Sequence, residues 1–191
     1  MHLILASQSP RRRQLLSDLG LPLSFVDITT DETIDEATPI HLMAETIARR
    51  KASAYDSTLL DTDQTLITAD TLVVSDNQKM GKPHDRDEAL MMLRHLSGKS
   101  HTVYTGVCLK QHDRTTSFTE ATQVHFRRLD DKEIAYYIDH YAPYDKAGAY
   151  GIQEWIGMIG IERIDGDYYN VMGLPLCHLY KVLKEWGAPI E

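Results

Sequence analysis

Three consecutive arginines, Arg11, Arg12 and Arg13, follow the segment Ser7-Gln8-Ser9-Pro10, which places positive charge where a helix least favours it. Ser9 is suited to an N-cap and Pro10 to the first helical position, so the spacing predicts a helix start directly after a short apolar strand. Cations in that first turn oppose the positive end of the helix dipole, at about 0.3 to 1 kcal/mol each when exposed. A bound anion would offset the conflict. Unpaired backbone N–H groups, the dipole and guanidinium forks together make a phosphate site, to which Ser7 adds a hydroxyl donor. The competing reading is a solvated basic helix start.

Lys51 is a second awkward cation. In the helix predicted over residues 39–55, Ile40, Ala44, Ile47, Lys51 and Tyr55 follow i+3/i+4 steps, which sets Lys51 inside the apolar stripe. Either its stem snorkels to the rim or its ammonium points into a polar cleft. Lys82, within Gly81-Lys82-Pro83, reads by itself as turn chemistry. Asp70 stands between strand-like runs at 65–69 and 72–75. A carboxylate at such a strand junction forms a turn or is presented at the lip of a sheet, where ligands commonly bind. Glu32 adds a carboxylate in a loop, and the pair suits a hard divalent cation. Gly98-Lys99-Ser100 spells the end of a P-loop, but Leu93 occupies the glycine position upstream. The nine histidines are scattered.

The elements that must position these groups are legible from periodicity and caps. A strand at 3–6, a helix at 10–19 and a strand at 23–28 form a βαβ-like opening. Asp85 and Glu88 have capping-box spacing before a helix at 86–96, with Gly98 as its stop. Runs at 102–109 and 118–126 flank His112, Asp113 and Arg114 as a hairpin. Asp130 and Glu133 cap a helix with Ile134, Tyr137, Ile138 and Tyr141 on one face, and Leu176, Leu179, Tyr180 and Leu183 mark a final helix. The apolar stretch 155–161 reads as a dimer surface or a buried strand. The expected architecture is α/β, a mixed twisted sheet with flanking helices, in a single domain over 1–191.

Composition bounds the function. With 42% hydrophobic and 25% charged residues the chain is of globular type. No apolar run reaches the roughly 18 residues of a membrane span, and the start lacks the features of an export signal, so a soluble, cytoplasmic protein is expected. Cys108 and Cys177 sit in apolar stretches without metal-ligand spacing and are expected as buried free thiols. A net charge of −8 argues against nonspecific nucleic-acid binding. A phosphate ligand must then be captured by a local concentration of cations.

The residues singled out fall within blocks that resemble one family. LASQSPRR at 5–12, Asp31-Glu32, Lys51-Ala52, ADTLVV at 69–74, GKP at 81–83, TGV at 105–107, DKAGAYGIQ at 145–153 and GDYYNVMGLPL at 166–176 are similar, in order and over nearly the whole chain, to the Maf proteins. The resemblance implies an inosine-triphosphatase-like fold with two lobes around a central groove, and a metal-dependent nucleoside triphosphate pyrophosphatase, cytoplasmic and often homodimeric. It assigns Ser7, Arg11, Arg12, Glu32, Lys51, Asp70 and Lys82 to the active site. Asp70 is the implied general base, Glu32 and Asp70 the ligands of Mg²⁺ or Mn²⁺, and Ser7, Arg11, Arg12, Lys51 and Lys82 the phosphate contacts.

Arg11, Thr71 and Gln153 match the branch of the family that prefers dTTP and UTP, where the 7-methyl-GTP branch carries Trp, Gln and Glu. A Gln amide both donates and accepts against a uracil or thymine edge. One departure stands beside it: the glycine usual after that Gln is Glu154 here. Two other roles fit the family, a nucleotide-binding regulator of septum formation with little turnover, and hydrolysis of modified pyrimidine triphosphates. The combination of Asp70 with Glu32 favours an enzyme, since a sensor needs neither a base nor a metal carboxylate.

Overall fold

The apolar pentapeptide His2–Ala6 becomes strand β1, and its place in the sheet explains its composition. It pairs in parallel with a strand on each side, in the registers Leu3↔Leu23 and Leu3↔Thr65, and is buried from Leu3 onward, as parallel strands covered on both faces are. The computed structural model describes the chain except Glu36, Asp113, Ile190 and Glu191. After β1 come α1 (Pro10–Ser17), β2 (Leu23–Val26), α2 (Met43–Ala54), β3 (Gln64–Ser75), β4 (Gln78–Met80) and α3 (Arg86–Leu96). The chain continues through β5 (Ser100–Lys110), β6 (Thr115–Phe126), α4 (Asp131–Tyr141), α5 (Trp155–Gly160), β7 (Ile161–Asp165), α6 (Tyr168–Met172) and α7 (Leu176–Glu185). The strand order is β2-β1-β3-β5-β6-β7, with β4 on β3. This is the expected mixed α/β class.

Two compact units emerge, the first comprising residues 1–70, 105–120 and 173–191 and the second 71–104 and 121–172. In the first, small residues let α2 lie close to the strands. Its buried line is Ala44, Ala48 and Ala52, and a Cβ on Gly106 of β5 would fall 2.1 Å from the Glu45 nitrogen. Thr68 of β3 donates its hydroxyl to the Ala48 carbonyl at 2.6 Å. At the other end of α2, the Lys110 ammonium reaches the carbonyls of Ala52 and Tyr55 at 3.3 and 3.4 Å, a cation at a helix C-terminus. Lys51 flanks this alanine line instead of interrupting it, because the helix turns its Ala face, not the Ile47 face, to the core.

The second unit has its own core, including Val73, Leu93, Phe126, Tyr137, Tyr150 and Ile156. Asp85 caps α3 by accepting from the Glu88 nitrogen at 2.9 Å, but the Glu88 carboxylate accepts from His84 at 2.7 Å, so the expected box closes one residue early. The box on α4 is complete.

Several expectations change. Residues 64–75 form one strand, so Asp70 lies mid-strand and not at a junction; the polar residue does not interrupt a ladder made by the backbone. Residues 155–160 form helix α5, not a strand, because Gly157 packs its bare Cα side on the Ile152 carbonyl, where a Cβ would come within 1.9 Å. Cys108 is buried, and burial pushes its thiol up to about 11, but Cys177 is exposed on the outer side of α7. The β5–β6 connection is closed by Gln111 N donating to Arg114 O at 2.8 Å; Asp113 of that expected turn lies outside the described residues. Among the described residues no helix is long and apolar enough to cross a membrane.

His101 reports on the second core. Its Nε2 is 2.7 Å from the Tyr150 hydroxyl, its ring stacks on Phe126, and burial lowers its pKa from 6.5 to about 4. The unfolded chain therefore takes up a proton that the folded ring refuses. The stability contribution is complete above about pH 6.5 and declines as pH falls toward 4, by on the order of 3 kcal/mol. Urea midpoints at pH 7, 5.5 and 4 should fall less steeply for His101→Gln than for the wild type.

Candidate active site

The N-terminus of α1 is built as its sequence requires. The Ser9 hydroxyl accepts from the Arg12 nitrogen at 3.4 Å, and Ser7 Oγ accepts from the Ser9 nitrogen at 3.2 Å. The arginines then divide. Arg13 ties α1 to β2, donating to Asp27 Oδ1 at 2.7 Å and to the Ser7 carbonyl at 2.8 Å, with its guanidinium over the Phe25 ring. Arg12 donates Nε to the Gly173 carbonyl at 2.7 Å, which fixes the plane of its fork. Burial lowers the Arg12 pKa, Asp70 and Glu32 act in the opposite sense, and Arg11 adds to the lowering. The guanidinium thus stands within electrostatic reach of both carboxylates and remains charged.

Lys51 is the junction of the first unit's site. Its Nζ lies 2.7 Å from Glu32 Oε1 and 2.9 Å from Asp70 Oδ1. The ammonium points into a polar cluster and does not snorkel away. Side-chain exposures of 13% for Lys51, 17% for Asp70 and 58% for Glu32 make Lys51–Asp70 the sheltered pair and Glu32 the solvent-facing arm.

Glu32 is held by a residue the sequence reading did not identify. Arg50 donates Nη1 to the carbonyls of Asp31 at 2.8 Å and Thr33 at 2.6 Å, gripping the backbone on both sides of Glu32, while Asp31 accepts from the Thr33 nitrogen at 2.8 Å. Neighbouring residues of α2 therefore fix the loop and its carboxylate separately. Nothing in the run Arg49-Arg50-Lys51 distinguishes the clamp from a solvated charge.

Thr71, Lys82 and Gln153 belong to the second unit. The β3–β4 register Val73↔Met80 brings Thr71, two residues before Val73, and Lys82, two residues after Met80, to the same end of that pair. Lys82 is exposed. The glycine before it accepts from the Gly148 nitrogen at 3.0 Å, which fastens this turn to the segment leading to Gln153. The Gln153 Oε1 atom is buried and has no hydrogen-bond partner among the described residues. Such an atom costs about 1 to 3 kcal/mol unless something supplies a donor.

Among the described residues no three His, Cys, Asp or Glu side chains gather to hold a metal ion. Glu32 and Asp70 do converge on one cationic point, and two carboxylates are a usual protein share for Mg²⁺ when phosphate oxygens and water complete its shell. The donor set fits a hard divalent ion of that kind.

Anchored arginines at a helix start and a lysine bridging two carboxylates thus stand within one α/β chain. The chain belongs to the Maf family: the family model for Maf-like proteins matches residues 2–186. It is similar to a protein of Bacteroides fragilis, 50% identical over 187 residues, 96% of this chain and 95% of the relative. It is also similar to a Phocaeicola vulgatus protein at 51% over the same length and shares, and to one from Flavobacterium psychrophilum at 44% over 181 residues, covering 95% and 92%. All three relatives bear the name dTTP/UTP pyrophosphatase.

Removing Lys51 leaves two carboxylates without the cation between them, which costs more than the pair itself contributes. Lys51→Met should lower the denaturant midpoint, and Asp70→Asn introduced into that variant should recover part of the loss. The double-mutant cycle is expected to give a coupling of roughly 1 to 3 kcal/mol; additive losses would mean that the two side chains are not coupled in solution.

Proposed function

We propose that the protein is a nucleoside triphosphate pyrophosphatase that converts dTTP and UTP, and modified pyrimidine triphosphates of the same shape, to the monophosphate and pyrophosphate. The observation that carries this reading is the Lys51 ammonium held between Glu32 and Asp70. It puts a candidate base, a second carboxylate and a fixed positive charge at one point, beside the anchored Arg12. The relatives' names supply the substrate class.

In the reaction a water attacks the α-phosphorus, and the Asp70 carboxylate, oriented by Lys51, receives its proton. The bond from the α-phosphorus to the bridging oxygen breaks, and pyrophosphate leaves with the electron pair. Ser7 and Arg11 contact the phosphates, while Arg12, Lys51 and Lys82 neutralise their oxygens. Each cation–phosphate contact at about 4 Å is worth roughly 4 kcal/mol of Coulomb energy at an effective dielectric of 20, before desolvation. Glu32 and Asp70 would hold Mg²⁺ or Mn²⁺, which supplies further charge neutralisation as a Lewis acid. The base is read by Gln153, whose buried, unpaired Oε1 suits the N3–H of uracil or thymine; Arg11 and Thr71 are further specificity residues. We place the enzyme in the cytoplasm, as a homodimer.

Purified protein with Mg²⁺ or Mn²⁺ should release pyrophosphate, not orthophosphate, from dTTP and UTP. Asp70→Asn should slow turnover at least about 100-fold with the fold retained, as expected for loss of a general base. Nucleotide binding with no product would point instead to the regulator of septum formation.

Selectivity tests Gln153 separately. A carboxylate in its place offers no donor to the pyrimidine carbonyls, at about 1 to 3 kcal/mol per unpaired group, or roughly 10- to 100-fold. Gln153→Glu should lower kcat/KM for dTTP and UTP by that factor while leaving 7-methyl-GTP hydrolysis unchanged or raised. An equal loss on every triphosphate would remove Gln153 from base recognition.

A further inference from the structure

Glu154 is the N-cap of α5, yet its side chain makes no capping bond. The carboxylate is turned away from the helix it precedes. One oxygen, Oε1, lies 3.1 Å from the Lys146 ammonium, and the other accepts a hydrogen bond from the Tyr137 hydroxyl. That hydroxyl accepts in turn from the Gly151 nitrogen at 3.0 Å. Tyr137, on α4, is fully buried. Burial and the adjacent Glu154 push its phenol pKa up, so it stays a donor to the carboxylate. Lys146 is itself only 8% exposed and pairs also with Asp145 at 2.7 Å.

These bonds close on the turn that carries Gln153. The Glu154 nitrogen donates to the Gly151 carbonyl at 3.0 Å, so the turn is tied across its backbone as well as through Tyr137. Both side chains of the turn fold over Gly151: a Cβ there would come within 2.9 Å of Glu154 Cδ and 3.1 Å of Gln153 Nε2. The Gln153 amide nitrogen and the Glu154 carboxylate therefore flank one bare Cα, and the unpaired Gln153 Oε1 belongs to the same carboxamide. A residue that forgoes its local role for a buried network beside an unsatisfied group breaks the local rule where function is expected to break it.

We propose that Glu154 is a positioning residue for base recognition, its carboxylate clamped by Lys146 and Tyr137 so that the 151–154 turn presents the Gln153 carboxamide in one orientation. The inference rests on the reading of Gln153 as the base contact. Lys146 and Tyr137 act on the base only through Glu154 and Gly151. The effect is preorganisation: a carboxamide already held in its bound orientation loses less freedom when the base arrives.

The test uses full-length Glu154→Gln, which keeps shape and removes the charge paired with Lys146, and Tyr137→Phe, which removes only the hydroxyl. Gln153→Ala serves as the reference, and kcat and KM are measured for dTTP, UTP and GTP. In each of the first two variants KM for dTTP and UTP should rise about tenfold, the scale of one misplaced hydrogen bond. Their kcat should stay within about twofold, and the GTP constants should be unchanged. Combining Glu154→Gln with Gln153→Ala should add nothing to the loss caused by Gln153→Ala alone, because Glu154 acts through Gln153.

The proposal is overturned if the pyrimidine preference survives in the folded variants, if all three substrates lose equally, or if the losses multiply in the double variant. Circular dichroism melting checks folding, and should Tyr137→Phe unfold, Glu154→Gln decides. A Gln153→Ala enzyme with intact pyrimidine preference would instead overturn the base-contact reading, and this proposal with it.

Discussion

The Lys51 ammonium, within 3 Å of both Glu32 and Asp70, is the contact on which the rest of the first unit depends. Two carboxylates brought together repel, and a half-buried ammonium is costly without counter-charge, so each member of the group is tolerable only because the others are present. Bringing a helix-borne lysine to a strand-borne aspartate requires the helix to lie close to the sheet. The alanine face of α2 and the missing side chain at Gly106 meet that need: a methyl group at Gly106 would collide with the α2 backbone. Packing of small residues, itself without charge, thus sets the distance between Lys51 and Asp70.

The division of labour among the arginines follows the same logic. For a chain of net charge −8 to bind an anion, cations whose positions are set beforehand are an advantage, since an unanchored guanidinium would lose freedom on binding. Arg13 is consumed by Asp27, the Ser7 carbonyl and Phe25, and so holds α1 in place. Arg12 has its fork oriented by Gly173. Arg50, from α2, spends its donors on the backbone around Glu32. Neighbouring residues of like charge thus hold different parts of the backbone.

The second unit handles its polar residues differently. Its groups are sheltered by an aromatic and aliphatic core, and several buried polar groups there form short chains, such as Lys146 to Glu154 to Tyr137 to Gly151 and His101 Nε2 to Tyr150. Satisfied networks of this kind restrict a segment to one arrangement. The Gln153 Oε1 and His101 Nδ1 atoms are buried beside these chains with no hydrogen-bond partner among the described residues.

Much of this was legible in the residues alone. Ser9-Pro10 fixed the start of α1, and Asp130 with Glu133 fixed the start of α4, because caps are local hydrogen bonds between residues a few positions apart. The cationic misfits Arg11, Arg12 and Lys51 were visible because they contradict local propensity, and the family blocks joined them to Asp70, Glu32 and Gln153. What the sequence could not decide was partnership. Arg12, Arg13 and Arg50 look alike in one dimension, yet one faces the carboxylates, one braces a strand and one grips a loop. Asp70 read as a break between two strands, although the β3 ladder runs through it, since backbone pairing is set by neighbours far away in sequence. Residues 155–160 carried a strand-like composition and became a helix where Gly157 meets the Ile152 carbonyl. The sequence determined the elements whose causes lie within one turn of the chain; tertiary structure decided which side chains meet, because ion pairs and close approaches depend on distances that only packing sets.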